Sequence, residues 1–145
     1  MTYKVIVADN SPSVRKALEL ALPESEFELF FFDNGLELAK ALPDIGPDAL
    51  LLSLSLPGMD GYRTAAHVRG LQEFRHASVI FLRGSFESFD PDKAAGLDYQ
   101  EVVRKPFDSE ALARRLKSGL DRKHDLLSFP EAPPEGNGRE AGLRA

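Results

Sequence analysis

Short apolar runs closed by turn-forming residues alternate along this chain with stretches whose apolar positions recur every three or four residues. Tyr3-Lys4-Val5-Ile6-Val7-Ala8 is rich in β-branched residues and stops at Asp9-Asn10-Ser11-Pro12, the layout of a buried strand. Ser11 then reads as a helix N-cap with Pro12 at the first helical position, where a missing N–H costs nothing. Val14, Ala17, Leu18 and Ala21 mark one face of that helix, which should end near Pro23. Phe27 to Phe32 predicts a second strand, with Phe30, Phe31 and Phe32 serving as core. Asn34-Gly35 opens a second helix, carrying Leu36, Ala39 and Leu42 and expected to stop before Pro43.

Ala49-Leu50-Leu51-Leu52-Ser53 is apolar almost throughout, which predicts a central strand covered on both faces. A loop over Leu56-Pro57-Gly58-Met59-Asp60-Gly61 precedes a third helix from Tyr62 to Phe74. Ser78 to Leu82 gives strand four, and Asp90-Pro91 caps a short fourth helix ending at Gly96. Gln100 to Arg104 gives strand five, before Lys105-Pro106-Phe107. Asp108 caps a final helix with Leu112, Leu116 and Leu120 on one stripe, running to about Lys123. Five strands alternating with five helices predict an α/β domain with a parallel sheet, because parallel neighbours need crossover connections.

The domain is expected to span residues 1–124. Residues 125–145 are expected to form a disordered tail or linker: Pro130, Pro133, Pro134, Gly136, Gly138 and Gly142 stand among few bulky apolar residues, too few to offset the entropy of ordering. The chain has 145 residues and a net charge of −5, which argues against nucleic-acid binding through a basic face. No apolar run is long enough to span a bilayer, and the first residues lack a signal-peptide layout, so a cytoplasmic location with no membrane partner is expected. Absence of Cys excludes disulfides, thiolate metal sites and a Cys nucleophile.

In an open parallel sheet, function gathers at the carboxyl ends of the strands. Those ends carry Asp9 and Asn10, then Ser53, Arg83, and Lys105 before Pro106. Together with the Pro57-Gly58-Met59-Asp60-Gly61 loop and Lys105-Pro106-Phe107, this series resembles the receiver domain of bacterial two-component response regulators, over about residues 3–123. The resemblance implies a doubly wound, flavodoxin-like sheet of order 2-1-3-4-5 with helices on both faces. It also implies positions for a phosphorylation pocket. Two acidic residues should follow strand one, where Asp9 and Asn10 stand. The phosphoacceptor Asp should lie four residues before the loop proline, where Ser53 stands. Arg83 occupies the place of a Thr or Ser that follows the phosphoryl group, and Val102 that of an aromatic switch residue. Ser55 falls where the family offers a backbone carbonyl to Mg²⁺. Only Asp9 and Lys105 match the active pattern.

These departures alter the charge of the pocket. In the intact family pattern three carboxylates, one Lys and Mg²⁺ cancel; here Asp9, Lys105 and an inward Arg83 would leave one net positive charge before any metal. Unit charges ~4 Å apart at an effective dielectric of ~20 interact by on the order of 4 kcal/mol, so loss of Mg²⁺ binding is expected and no cofactor is assigned. A Ser hydroxyl needs an activating base where a carboxylate does not, and His67, His76 and His124 fall away from Ser53. The expectation is a degenerate, non-enzymatic pseudo-receiver without a metal site or catalytic residue.

Several alternatives stay open from sequence. Asp9 can cap the following helix or pair with Arg83, and Arg83 can fill the pocket or reach outward to water. Lys105 can turn into the pocket or be a loop lysine. Phe86 and Phe89 can form a binding surface or tuck into the core. The leading functional expectation is a phosphorylation-independent interaction module for another signalling or regulatory protein, with Phe86, Phe89 and Val102 as candidate contacts. The alternatives are phosphorylation on a residue other than Asp, Ser53 included, and a pocket for a small anion or nucleotide.

Overall fold

The computed structural model describes residues 2–128. Five parallel strands, β1 (Tyr3–Ala8), β2 (Phe27–Phe32), β3 (Ala49–Ser53), β4 (Ser78–Arg83) and β5 (Glu101–Arg104), form one sheet of order β2-β1-β3-β4-β5. The expected strand order is therefore observed. Strands β1 to β3 begin and end where the apolar runs do, because each run is closed by residues that leave extended geometry.

Alternation along each strand splits the core into two layers, as a period of two residues requires. Ile6, Ala8, Leu50, Leu52, Val79 and Phe81 face one side and pack with Leu38, Leu42, Ala65 and Val68. These belong to helices α2 (Gly35–Ile45) and α3 (Gly61–Arg69). Val5, Val7, Leu51, Ile80 and Leu82 face the other side, against Leu18, Leu112, Leu116 and Leu120 of α1 (Pro12–Ala21) and α4 (Ser109–Ser128). The phenylalanines of edge strand β2 are divided in the same way, Phe30 and Phe32 to the first layer and Phe31 to the second.

Three helix expectations need correction. Helix α2 runs through Pro43 to Ile45 and ends at Gly46 in the left-handed region, whose N–H bonds to Leu42 O. Pro43 falls in the last turn, where few later residues depend on the helix continuing, so the ring is tolerated there. The third helix stops at Arg69, and Gln72–Phe74 forms a separate 3₁₀ turn. The fourth helix is absent: residues 91–96 form turns. Asp90 does cap them through Asp92 N–H, but the bonds that follow, such as Leu97 N–H to Ala94 O at 3.1 Å, close only single turns. Gly96 at φ 78° and Asp98 at φ 52° then take the chain out of helical geometry. One capped turn of this length cannot repay the cost of helix nucleation.

The last helix continues to Ser128, past the expected boundary at residue 124, with Leu126 and Leu127 exposed. The remainder of the expected tail, 129–145, lies outside the described residues.

Candidate functional site

The carboxyl ends of β1, β3, β4 and β5 bring Asp9, Ser53, Arg83 and Lys105 to one edge of the sheet. The register sets Ala8 beside Leu52, Ser53 beside Leu82, and Arg83 beside Arg104, so the next residues of the central strands meet above the sheet. Asp9 is fully buried. Its Oδ1 accepts the Ser11 N–H at 2.8 Å, which fixes the turn into α1, where Ser11 Oγ accepts from Val14 N–H. Its Oδ2 accepts no hydrogen bond of ordinary geometry among the described residues. That oxygen is instead met by the Lys105 ammonium at 2.6 Å, an ionic contact. Asp9 thus both braces the helix entry and carries an ion pair.

The ion partner is Lys105, not Arg83. Arg83, half-buried, does not pair with Asp9: its guanidinium folds back along its own loop and donates to Glu87 O at 2.9 Å and Gly84 O at 3.4 Å. The expected pairing of Asp9 with Arg83 is corrected accordingly. A five-residue loop lets the long Arg side chain satisfy a backbone carbonyl locally, at less entropic cost than spanning the pocket.

Glu87 was not singled out in the sequence, yet it closes the ring. Its carboxylate accepts the Gly84 N–H at 2.9 Å and the Ser55 hydroxyl, joining the loop after β3 to the loop after β4. Ser85 Oγ donates to Lys105 O at 2.7 Å, joining β4 to β5. With Glu87 included, two carboxylates offset two cations. The net positive charge that motivated an anion-binding pocket at this edge is therefore absent. The one sequence signal for Glu87 was its position four residues after Arg83 across a glycine.

Ser53 is buried at the end of β3, beneath the start of α3. A Cβ at Gly61 would stand 2.3 Å from Ser53 O, so only glycine allows α3 to approach this closely. Lys105-Pro106 is a cis bond. Asn10 is exposed.

The aromatic candidates separate. Phe86 is fully exposed at 101%. Phe89 instead packs 5.8 Å from Tyr62, 6.0 Å from Phe81 and 5.4 Å from Tyr99, centroid to centroid. Phe89 is thus partly buried in the aromatic cluster, and Val102 lies partly buried against the same layer.

The oxygen set fits Mg²⁺ poorly. Hard divalent cations require several oxygen ligands with carboxylates among them, and here Asp9 Oδ2 is held by an ammonium while Glu87 is engaged with Gly84 and Ser55. Among the described residues no group of three His, Asp or Glu stands together as a metal site.

Comparison with known proteins agrees with this architecture. Residues 5–117 match the response regulator receiver domain family, and the chain belongs to that family of bacterial two-component signalling. It is 26% identical over 115 residues to Protein PilG of Pseudomonas aeruginosa, covering 79% of this chain and 85% of PilG. It is also 26% identical over 125 residues to the DNA-binding response regulator MtrA of Mycolicibacterium smegmatis. There it covers 86% of this chain and only 54% of MtrA, so this chain spans about half of that relative. The receiver domain of AraT, a response regulator from Geobacillus stearothermophilus, has the same fold: TM-score 0.76, 23% identity, 89% of this chain and 100% of that one. No helix among the described residues is long and apolar enough to cross a membrane.

Proposed function

We propose that this receiver domain is a phosphorylation-independent interaction module, a pseudo-receiver that engages another signalling or regulatory protein without Mg²⁺ or phosphoryl transfer. The observation that carries this reading is the Asp9–Lys105 pair at 2.6 Å beside a serine, not a carboxylate, at the end of β3. A divalent cation entering there would have to displace the ammonium from the one buried carboxylate. Phosphoryl transfer without a bound cation would leave the developing charge without its usual neutraliser. The Ser53 hydroxyl, for its part, has no histidine beside it to act as base.

Signal transmission in a two-state protein requires a ligand that binds one state better than the other. Arg83 is tied to the Glu87 carbonyl and Val102 has no hydroxyl or aromatic ring to exchange between positions, so a phosphoryl group would have nothing to reorganise. The surface offered to a partner is the edge bearing Phe86, which is fully exposed among the described residues. The domain has no catalytic assignment, and its action is intracellular binding of protein, not of nucleic acid or lipid.

Incubation with a small phosphodonor and Mg²⁺, followed by intact-mass measurement, tests the reading. Unchanged mass in wild type is expected. A gain of one phosphoryl group that Ser53→Ala abolishes would replace it with phosphorylation on serine. A gain that persists in Ser53→Ala would place acceptance at another residue and equally overturn it.

A further inference from the structure

At the opposite end of the sheet, where β4 and β5 begin, a cavity of about 470 Å³ opens between the 3₁₀ turn, the approach to β5 and the last turns of α4. Its volume lies within the range of small-ligand sites. Four Lys and Arg side chains line it: Arg69, Arg75, Arg122 and Lys123. Asp98 is the one acidic lining residue. This is a concentration of positive charge on a chain whose net charge is −5. Asp98 acts electrostatically on both Arg69 and Lys123, so one carboxylate faces four cations in this lining.

Arg69 forms the rigid floor. It donates to Leu97 O at 2.8 Å, Asp98 O at 2.7 Å, Phe74 O at 3.3 Å and Arg75 O at 3.2 Å. These bonds hold Asp98 in its left-handed conformation, φ 52°, and burial lowers the Arg69 pKa while the nearby Asp98 carboxylate opposes the shift. Lys123 donates to His76 O at 2.7 Å and Ser78 Oγ at 3.1 Å, which leaves one of its three N–H groups available. Burial and the neighbouring Arg69 push the Lys123 ammonium below its usual pKa, with Asp98 opposing. Arg75 is exposed at the rim, as is Arg122, whose guanidinium donates to Ser118 Oγ at 3.1 Å. Tyr99 and the exposed Leu126 complete a partly apolar wall.

We propose that this cavity binds a small phosphorylated organic molecule of about mononucleotide size, its phosphate held by Arg75, Arg122 and Lys123 and its organic part against Tyr99 and Leu126. Guanidinium and ammonium groups converging on one space match phosphate, which accepts several charge-assisted hydrogen bonds at once. A bound dianion adds to the single counter-charge that Asp98 offers the four cations of this lining. The site is independent of the Asp9–Lys105 pair and of the proposed loss of phosphoryl transfer.

The full chain, labelled for amide NMR, tests this by titration at constant ionic strength with inorganic pyrophosphate, adenosine 5′-monophosphate and uncharged adenosine. The expected result is saturable shifts at Arg75, Ala77, Ser78 and Gln100 with pyrophosphate and the monophosphate, the latter binding tighter, and none with adenosine. Arg75→Gln and Arg122→Gln, both at exposed positions, should each weaken binding at least ~10-fold, consistent with loss of a charge-assisted hydrogen bond. Arg114→Gln, outside the cavity, should leave it unchanged. Equal binding of pyrophosphate and monophosphate would remove the organic part of the proposal. Absence of saturation, or shifts that chloride reproduces or that survive both cavity substitutions, would overturn the site.

Discussion

Lys105 and Arg83, at the carboxyl end of the sheet, each have a partner: Asp9 at 2.6 Å, from across β3 and β4, and the Glu87 carbonyl at 2.9 Å within the same loop. At the amino end, Arg69, Arg75, Arg122 and Lys123 share one cavity with Asp98 alone. The same sheet therefore neutralises charge at the edge where its family performs chemistry and accumulates it at the edge where none is expected. Local electrostatics follows which side chains the topology brings together, not the chain's overall acidity. A charge sum taken over strand ends alone misses both outcomes.

The largest effect should come from unpairing the buried ion pair. Asp9→Ala leaves the Lys105 ammonium, 21% exposed, without its carboxylate and is expected to cost about 3 kcal/mol. Urea denaturation measures it. Adding Lys105→Met should recover much of that loss; no recovery would mean that Asp9 matters chiefly through the Ser11 turn.

Arg69→Met removes the floor of the amino-end cavity and four backbone carbonyl contacts. A loss of about 2 kcal/mol is expected, with faster amide exchange at Leu97 and Tyr99 before the rest of the sheet. Uniform exchange would show that Arg69 does not hold this segment.

Next in size is the link from β1 to α4, where Tyr3 OH donates to Asp121 at 2.5 Å. Tyr3→Phe should cost about 1 kcal/mol. Burial first, then the Asp121 carboxylate, raises the Tyr3 phenol to about 12. The folded protein therefore keeps a proton that the unfolded chain releases near its ordinary value of 10.0. This contribution is whole below that value and lost as pH climbs towards about 12. The Tyr3 hydroxyl, then Lys117, hold Asp121 below its ordinary value, so its contribution is present above the usual carboxylate range and lost as pH falls through the lowered value. Denaturation midpoints of wild type and Tyr3→Phe should converge at both extremes. Constant separation would contradict the assignment.

The smallest effect belongs to Phe86→Ser, expected within about 0.5 kcal/mol of wild type because the ring is exposed. Capture of a partner should nevertheless weaken. Marked destabilisation would show that Phe86 belongs to the core.

The strands were legible because short apolar runs bounded by Asp9-Asn10, Asp33-Asn34 and Pro57-Gly58 leave few alternatives, whereas their order followed only from the resemblance to receiver domains. Helix length was less so. The Asp90 cap is present, but whether a capped turn propagates depends on what its next residues can bury, and only Ala94 and Leu97 are buried. At the site, Asp9, Ser53 and Lys105 stood where strand ends placed them. The partner of Arg83 was hidden because orientation is settled by a loop carbonyl, a group present at every residue. The amino-end cavity was invisible because its cations come from α3, the 3₁₀ turn and α4, distant in sequence and adjacent only through packing.

The central claim is that Asp9 and Lys105 hold the phosphorylation edge closed to a divalent cation. Amide NMR of the full chain, titrated with millimolar Mg²⁺ and then beryllofluoride, tests it most directly. The predicted result is no saturable shift at Ser53, Leu54, Gly84 or Lys105 with either addition. Saturable Mg²⁺ binding that beryllofluoride strengthens, with shifts centred on Ser53, would contradict it.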